Sequence, residues 1–250
     1  MSAAAIALRH VSRRYANGVQ ALADVSLQAA PGAFVSLLGP SGCGKSTVLR
    51  LLAGLDAPSS GQVQRPADGV GYVFQDPTLM PWASVEANVR LPLRLRHAPR
   101  AAADAAVREA LQAVGLADFA RALPRELSGG MRMRASIARA MVTRPSLLLL
   151  DEPFAALDEI TRFRLNQELL GLWQRDAFTA LFVTHSVYEA VFLSQRVVVM
   201  GARPGRVVRE ITVDAPYPRD AGFRATAAYA RACAEVAAAL EQATEGADAR

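Results

Sequence analysis

Apolar residues in this chain fall into short runs broken by polar turns, with Ala-rich stretches of helical spacing between them. Ile6 to Val11 alternates weakly and predicts a strand; Val19 to Ala29 predicts a further strand pair around Asp24. Pro31-Gly32 predicts a turn, followed by the apolar run Phe34 to Leu38 and a helical pattern from Thr47 to Leu55. Val70 to Phe74 predicts another strand, and after breaks at Pro77 and Pro81 a capped helix restarts at Ser84. Pro99 to Leu116 carries Val107, Leu111 and Val114 at helical spacing and predicts an amphipathic helix. Leu147 to Leu150 suits a parallel strand buried on both faces. Phe178 to Thr184 and Arg196 to Met200 predict two more strands, with Val207 to Val213 pairing back across a turn. From Arg219 onward the chain is Ala-rich and predicts one or two helices.

Strands alternating with helices predict an α/β fold with a mostly parallel sheet, preceded by a small N-terminal antiparallel β layer. Residues from about 77 to 142 predict an inserted α-helical subdomain, and 219–250 a C-terminal helical tail. No internal repeat and no linker separates independent domains, so 1–250 reads as a single domain.

The turn after Leu38 reads Gly39-Pro40-Ser41-Gly42-Cys43-Gly44-Lys45-Ser46-Thr47. It matches G-x-x-x-x-G-K-[ST] between a predicted strand and a predicted helix, the context a phosphate-binding loop requires. Glycines let successive N–H groups point inward around a phosphate, and the helix N-terminus adds partial positive charge. Lys45 is then placed to reach the β- and γ-phosphates, and the Ser46 hydroxyl to hold Mg²⁺. At average amino-acid usage the pattern arises by chance in about 1% of chains this long. Of the 28 basic residues Lys45 is the single lysine, the rest being arginine. The two side chains are not interchangeable against a phosphate, so the lysine here points to function.

Three further stretches carry chemistry. Ser128, followed by Gly129 and Gly130, caps a helix whose start offers backbone N–H groups, a second anion site. Asp151 and Glu152 end the leucine strand, at the mouth of the sheet where ligands bind in α/β folds. In phosphate-loop NTPases the first such acid holds Mg²⁺, and the second is suited to orient and polarise an attacking water. The plainer alternative for the pair is a solvated strand end. His185 ends the Phe178 strand and precedes a helix; a satisfied polar residue is its plainer alternative.

Composition adds bounds. With 52% hydrophobic residues the chain has ample material for a core. The net charge of +5 rests on dispersed arginines, with no basic run interleaved with aromatics, which argues against a nucleic-acid partner. Two cysteines, Cys43 and Cys233, suggest neither a disulfide framework nor a metal cluster and fit a reducing cytosol. Met1 to Leu8 lacks the charged and apolar regions of a signal peptide. No apolar segment approaches the ~20 residues that span a bilayer.

Over roughly residues 5 to 215, the motifs and their order resemble the ATP-binding-cassette (ABC) ATPases. The resemblance implies the ABC ATPase fold, a phosphate-loop NTPase core in a single nucleotide-binding domain, with ATP and Mg²⁺ as ligands. It makes Tyr15 the residue that stacks on adenine, against the plainer reading of a tyrosine ending an edge strand. It makes Gln75 the residue that contacts Mg²⁺ or the attacking water, and His185 the switch that reads the γ-phosphate and supports Glu152. Leu127-Ser128-Gly129-Gly130-Met131 resembles the family signature, whose helix contacts the γ-phosphate held by a second subunit. Met131 and Met133 depart from the usual glutamines. Phe154 to Asp158 resembles the segment that crosses the dimer interface.

Phe74 to Trp82, Val183 to Val191 and Ala202 to Arg206 resemble more narrowly the nitrate/sulfonate/taurine importer ATPases. That likeness implies a homodimer joined through ATP, separate permease subunits and, indirectly, a solute-binding protein, at the cytoplasmic face of a bacterial inner membrane. The solute is chosen by other polypeptides. A soluble ABC ATPase of DNA repair or translation is the alternative. The chain lacks the long coiled-coil or zinc insertions of the first and the second cassette of the other. A guanine-reading Asn-Lys-x-Asp motif is excluded because Lys45 is the single lysine.

Overall fold

The computed structural model describes residues 5–67 and 69–248. The chain divides into two units, Met1–Ala67 with Ala177–Arg250, and Asp68–Asp176. The first begins with β1 (Ile6–Arg14), β2 (Gln20–Ala29), β3 (Phe34–Leu38), α1 (Lys45–Ala53) and β4 (Ser60–Gln64). The second holds β5 (Val70–Val73), α2 (Val85–Leu95), α3 (Arg100–Ala113), α4 (Gly129–Met141), β6 (Leu147–Asp151) and α5 (Glu159–Asp176). The chain returns to the first with β7 (Thr179–Thr184), α6 (Val187–Leu193), β8 (Arg196–Gly201), β9 (Arg206–Thr212) and α7 (Ala227–Asp248).

In the first unit β1 lies between β2 and β4 in an antiparallel layer, with Leu8 opposite both Leu27 and Val63. Val19 to Ala29 is not the strand pair expected around Asp24: β2 is one strand bent by a bulge. His10 and Asp24 both take positive φ there, 52° and 53°. The hydroxyls of Ser26 and Ser12 accept their N–H groups at 3.0 Å each, so the strands bend with those donors satisfied. The layer is not wholly N-terminal either, because β4 joins it from beyond α1. Ser60 to Gln64 is a largely exposed edge with one apolar residue, which gives no periodic signal.

β3, buried at all five positions, is the axis of the first unit's other sheet. It pairs in parallel with β7 and β8, and β9 closes antiparallel on β8. The C-terminal stretch forms a short 3-10 turn, Ala221–Ala225, and then the single helix α7, which packs on β8 and α6. Buried Arg219 donates to the carbonyls of Val191 (2.8 Å), Phe192 (3.2 Å) and Ser194 (2.8 Å), satisfying the end of α6.

In the second unit β5 pairs in parallel with β6, whose four leucines are fully buried. The Ser84 hydroxyl accepts from Ala87 N at 3.2 Å and starts α2. α4 packs on α2, α3 and β5, burying Met133 and Ile137. Arg90 of α2 forms ion pairs with Glu86 and with Asp104 of α3. No helix of the described residues is long and apolar enough to cross a membrane.

Candidate functional site

In the first unit the chain leaves β3 at Gly39, where a Cβ would lie 2.5 Å from the carbonyl oxygen of Met200. At Gly44 φ is 88°, and a Cβ would meet Leu22 at 2.5 Å. Sterics therefore demand glycine at both ends of the loop. α1 starts directly after Gly44, with no side chain capping its N-terminus. Lys45 turns back across the loop, its Nζ donating to the carbonyls of Gly39 (2.8 Å) and Pro40 (3.1 Å). Cys43 is buried beneath; burial pushes its thiol upward, partly opposed by the Lys45 charge. Ser41, Gly42 and Ser46 are exposed.

Two other predicted residues meet this loop. The Tyr15 hydroxyl lies 3.4 Å from Thr47 Oγ1 at the start of α1. Thr184 is opposite Leu38 in the ladder, so exposed His185 and Gly39 leave neighbouring strands at one level. The Thr184 hydroxyl donates to Glu189 Oε2 (2.5 Å) and accepts from Ser186 N (3.0 Å), which fixes the turn that carries His185.

In the second unit Val73 is opposite Leu150, so Gln75 and the pair Asp151 and Glu152 emerge at one end of the two strands. Gln75 is exposed, and Asp151 and Glu152 are half-buried. The Tyr72 hydroxyl donates to Asp151 Oδ2 at 3.1 Å. Glu152 has φ 44°, a left-handed conformation costly for a side chain with a Cβ, held where a reactive carboxylate is expected. At the start of α4 the Ser128 hydroxyl accepts from Met131 N at 3.2 Å. Gly130 is buried: a Cβ there would come within 2.8 Å of Thr161 of α5. Asp158 accepts from Thr161 N at 2.9 Å, a bond that holds its carboxyl below the usual range. Met133 is buried in the helical core, where an apolar side chain suits its surroundings, while Met131 is half-buried.

Several residues that position these groups were not expected. Tyr72 orients Asp151 across 79 positions of sequence. Arg139 donates to the carbonyls of Pro77 (2.7 Å) and Thr78 (2.8 Å), and burial lowers its pKa. Asn88 accepts from Met80 N at 2.7 Å and donates back to its carbonyl at 3.2 Å. Together they pin the segment that follows Gln75. An alternating aromatic pair, Tyr72 and Phe74, was the one sequence signal; their rings stack 4.3 Å apart.

Residues 22–155 match the family described as ABC transporter. An aliphatic sulfonates import ATP-binding protein of Pseudomonas syringae pv. tomato is 46% identical, covering 93% of this chain and 97% of its own length. One of Xanthomonas axonopodis pv. citri is 44% identical, covering 88% and 90%. Among solved structures, the cassette MJ0796, dimeric and bound to ADP and Pi, has a TM-score of 0.75 at 32% identity, covering 84% of this chain and 100% of that one. CbiO1 of Clostridium perfringens, part of an ABC transporter complex, has a TM-score of 0.77 at 27% identity, with 84% and 88% covered.

Proposed function

Because this chain belongs to the ABC transporter family, we propose that it is the ATP-hydrolysing subunit of a sulfonate-type importer. The observation that carries the reading is the Lys45 ammonium held across a glycine-shaped loop at the uncapped start of α1. Anion and dipole meet there, and the lysine neutralises phosphate charge. Relatives named as sulfonate import subunits, matched over nearly their full lengths, support the transport role over repair or translation.

The backbone from Gly39 to Thr47 holds the phosphates, and Tyr15 stacks on adenine. Ser46, Asp151 and Gln75 offer hydroxyl, carboxylate and amide oxygens, the hard donor set that suits Mg²⁺. The ion, when bound, would neutralise charge on the β- and γ-oxygens. Glu152 takes a proton from the attacking water as the water oxygen bonds the γ-phosphorus and the bond from that phosphorus to the β–γ bridging oxygen breaks, the electron pair leaving with ADP. His185 reads the γ-phosphate. Ser128 to Gly130 of one copy meet the γ-phosphate held by a second copy, so ATP joins a homodimer and hydrolysis releases it. Residues 1–250 thus serve as one nucleotide-binding domain. The helical region 77–142 carries the signature, and 219–250 forms a C-terminal tail. Permease subunits dock on this chain at the cytoplasmic face of the inner membrane, and a solute-binding protein acts through them. ATP energy reaches the gate as a difference in affinity between closed and open dimers.

Phosphate release by purified protein, alone and with its permease in vesicles, tests the reading. The expected result is ATPase activity that rises when a sulfonate is transported. Absence of ATPase activity in both forms contradicts it.

A further inference from the structure

Tyr15 follows directly on β1, and Arg13 lies two residues earlier, near the end of that strand. The Arg13 guanidinium sits over the Tyr15 ring, its Cζ 4.7 Å from the centroid. That cation is anchored: Arg13 Nη2 lies 2.5 Å from Asp56 Oδ1, and the Asp56 side chain is only 9% exposed. Among the described residues the other buried polar atoms of this pair, Arg13 Nε and Asp56 Oδ2, have no hydrogen-bond partner, so the arginine is aimed by its contact with Asp56 and by the ring. The backbone of Tyr15 is tied by its N–H to Val19 O and by its carbonyl to Gly18 N, both at 2.9 Å. Its hydroxyl reaches Thr47.

We infer that Arg13, anchored by Asp56, backs the Tyr15 ring and thereby sets the platform on which the base of the nucleotide stacks. A ring has two faces. The guanidinium takes one, so a base stacks on the other. The cation also draws π density toward itself, leaving the opposite face a better partner for an electron-rich purine. Arg13 is thus a positioning residue for purine nucleotides. The inference rests on Tyr15 being the base-stacking residue.

Calorimetry with MgADP and with magnesium tripolyphosphate, which lacks the adenosine, tests both steps. Tyr15→Ala is expected to weaken MgADP about tenfold or more and to leave tripolyphosphate unchanged. Arg13→Met is expected to weaken MgADP about fivefold, again with tripolyphosphate unchanged. Arg13→Lys recovers most of that loss, and Arg13→Met adds nothing in a Tyr15→Ala background. If Tyr15→Ala binds MgADP like wild type, the stacking reading itself fails. If Tyr15→Ala weakens binding and Arg13→Met does not, the inference about Arg13 fails alone. Equal losses of both ligands in Arg13→Met place its role in folding the loop and overturn the inference as well.

Discussion

The phosphate loop and the start of α4 are both glycine-rich helix N-termini, yet their glycines do different work. In the loop they shape backbone: Gly44 sits at φ 88°, and no side chain caps the helix behind it. At α4 they shape packing: Ser128 already caps the helix, and Gly130 is small because Thr161 lies against it. The loop also carries its own cation, Lys45, bonded to two of its carbonyls. One helix end is therefore built to bind an anion by itself. The other is capped and closely packed, and in the proposed homodimer it completes a site that a second copy begins.

The largest effect is expected at Glu152. Glu152→Gln keeps the shape and removes the base, so turnover should fall by about 100- to 10,000-fold while MgADP binding to the loop is retained. Turnover near wild type would show that the proton goes elsewhere. Lys45→Arg comes next. The ammonium lies 2.8 and 3.1 Å from two carbonyls, and a planar guanidinium does not fit that span. Displacing the γ-phosphate by about 1 Å can cost about 100-fold, so steady-state phosphate release should fall close to that of Lys45→Ala. Activity near wild type would mean that only charge matters.

Smaller effects test packing and orientation. Gly130→Ala should destabilise the protein by about 1–3 kcal/mol, because its methyl overpacks against Thr161. Urea denaturation reads this directly, and unchanged stability would remove the packing role. For the same reason Gly130→Asp is a poor probe of charge at α4, and the exposed Ser128 is the better position. Tyr72→Phe removes one hydrogen bond to Asp151, about 1 kcal/mol. It should raise the Mg²⁺ concentration for half-maximal ATPase about fivefold; an unaltered Mg²⁺ dependence would deny Tyr72 a part in orienting that carboxylate.

The phosphate loop was legible in the sequence because its constraints are local. A tight turn, an uncapped helix and a lysine lie within nine consecutive residues. Leu147 to Leu150 was legible because a strand buried on both faces must be continuously apolar. The exit of His185 beside Gly39 was not, since it follows from the register between Thr184 and Leu38, far apart in sequence. Tyr72, Arg139, Asn88 and Arg13 were missed for a related reason. Each is an ordinary residue whose meaning comes from a partner that only tertiary structure supplies. The bulge at Asp24 read as a break between strands because a polar residue at positive φ looks the same in one dimension as a turn. β4 offered one apolar residue and no pattern, and its place is set by pairing with β1.

If the loop of one copy works with the α4 start of another, two variants that each lack one half restore a complete site when mixed. Lys45→Ala keeps α4 intact and loses the loop; Ser128→Arg keeps the loop and sets a bulky cation at the exposed cap. Each protein alone should fail to hydrolyse ATP. Mixed, they form heterodimers in which the intact loop of one faces the intact α4 start of the other, and ATPase activity should return. If Ser128→Arg alone is as active as wild type, or if heterodimers form and stay inactive, the two helix ends do not share one ATP between copies.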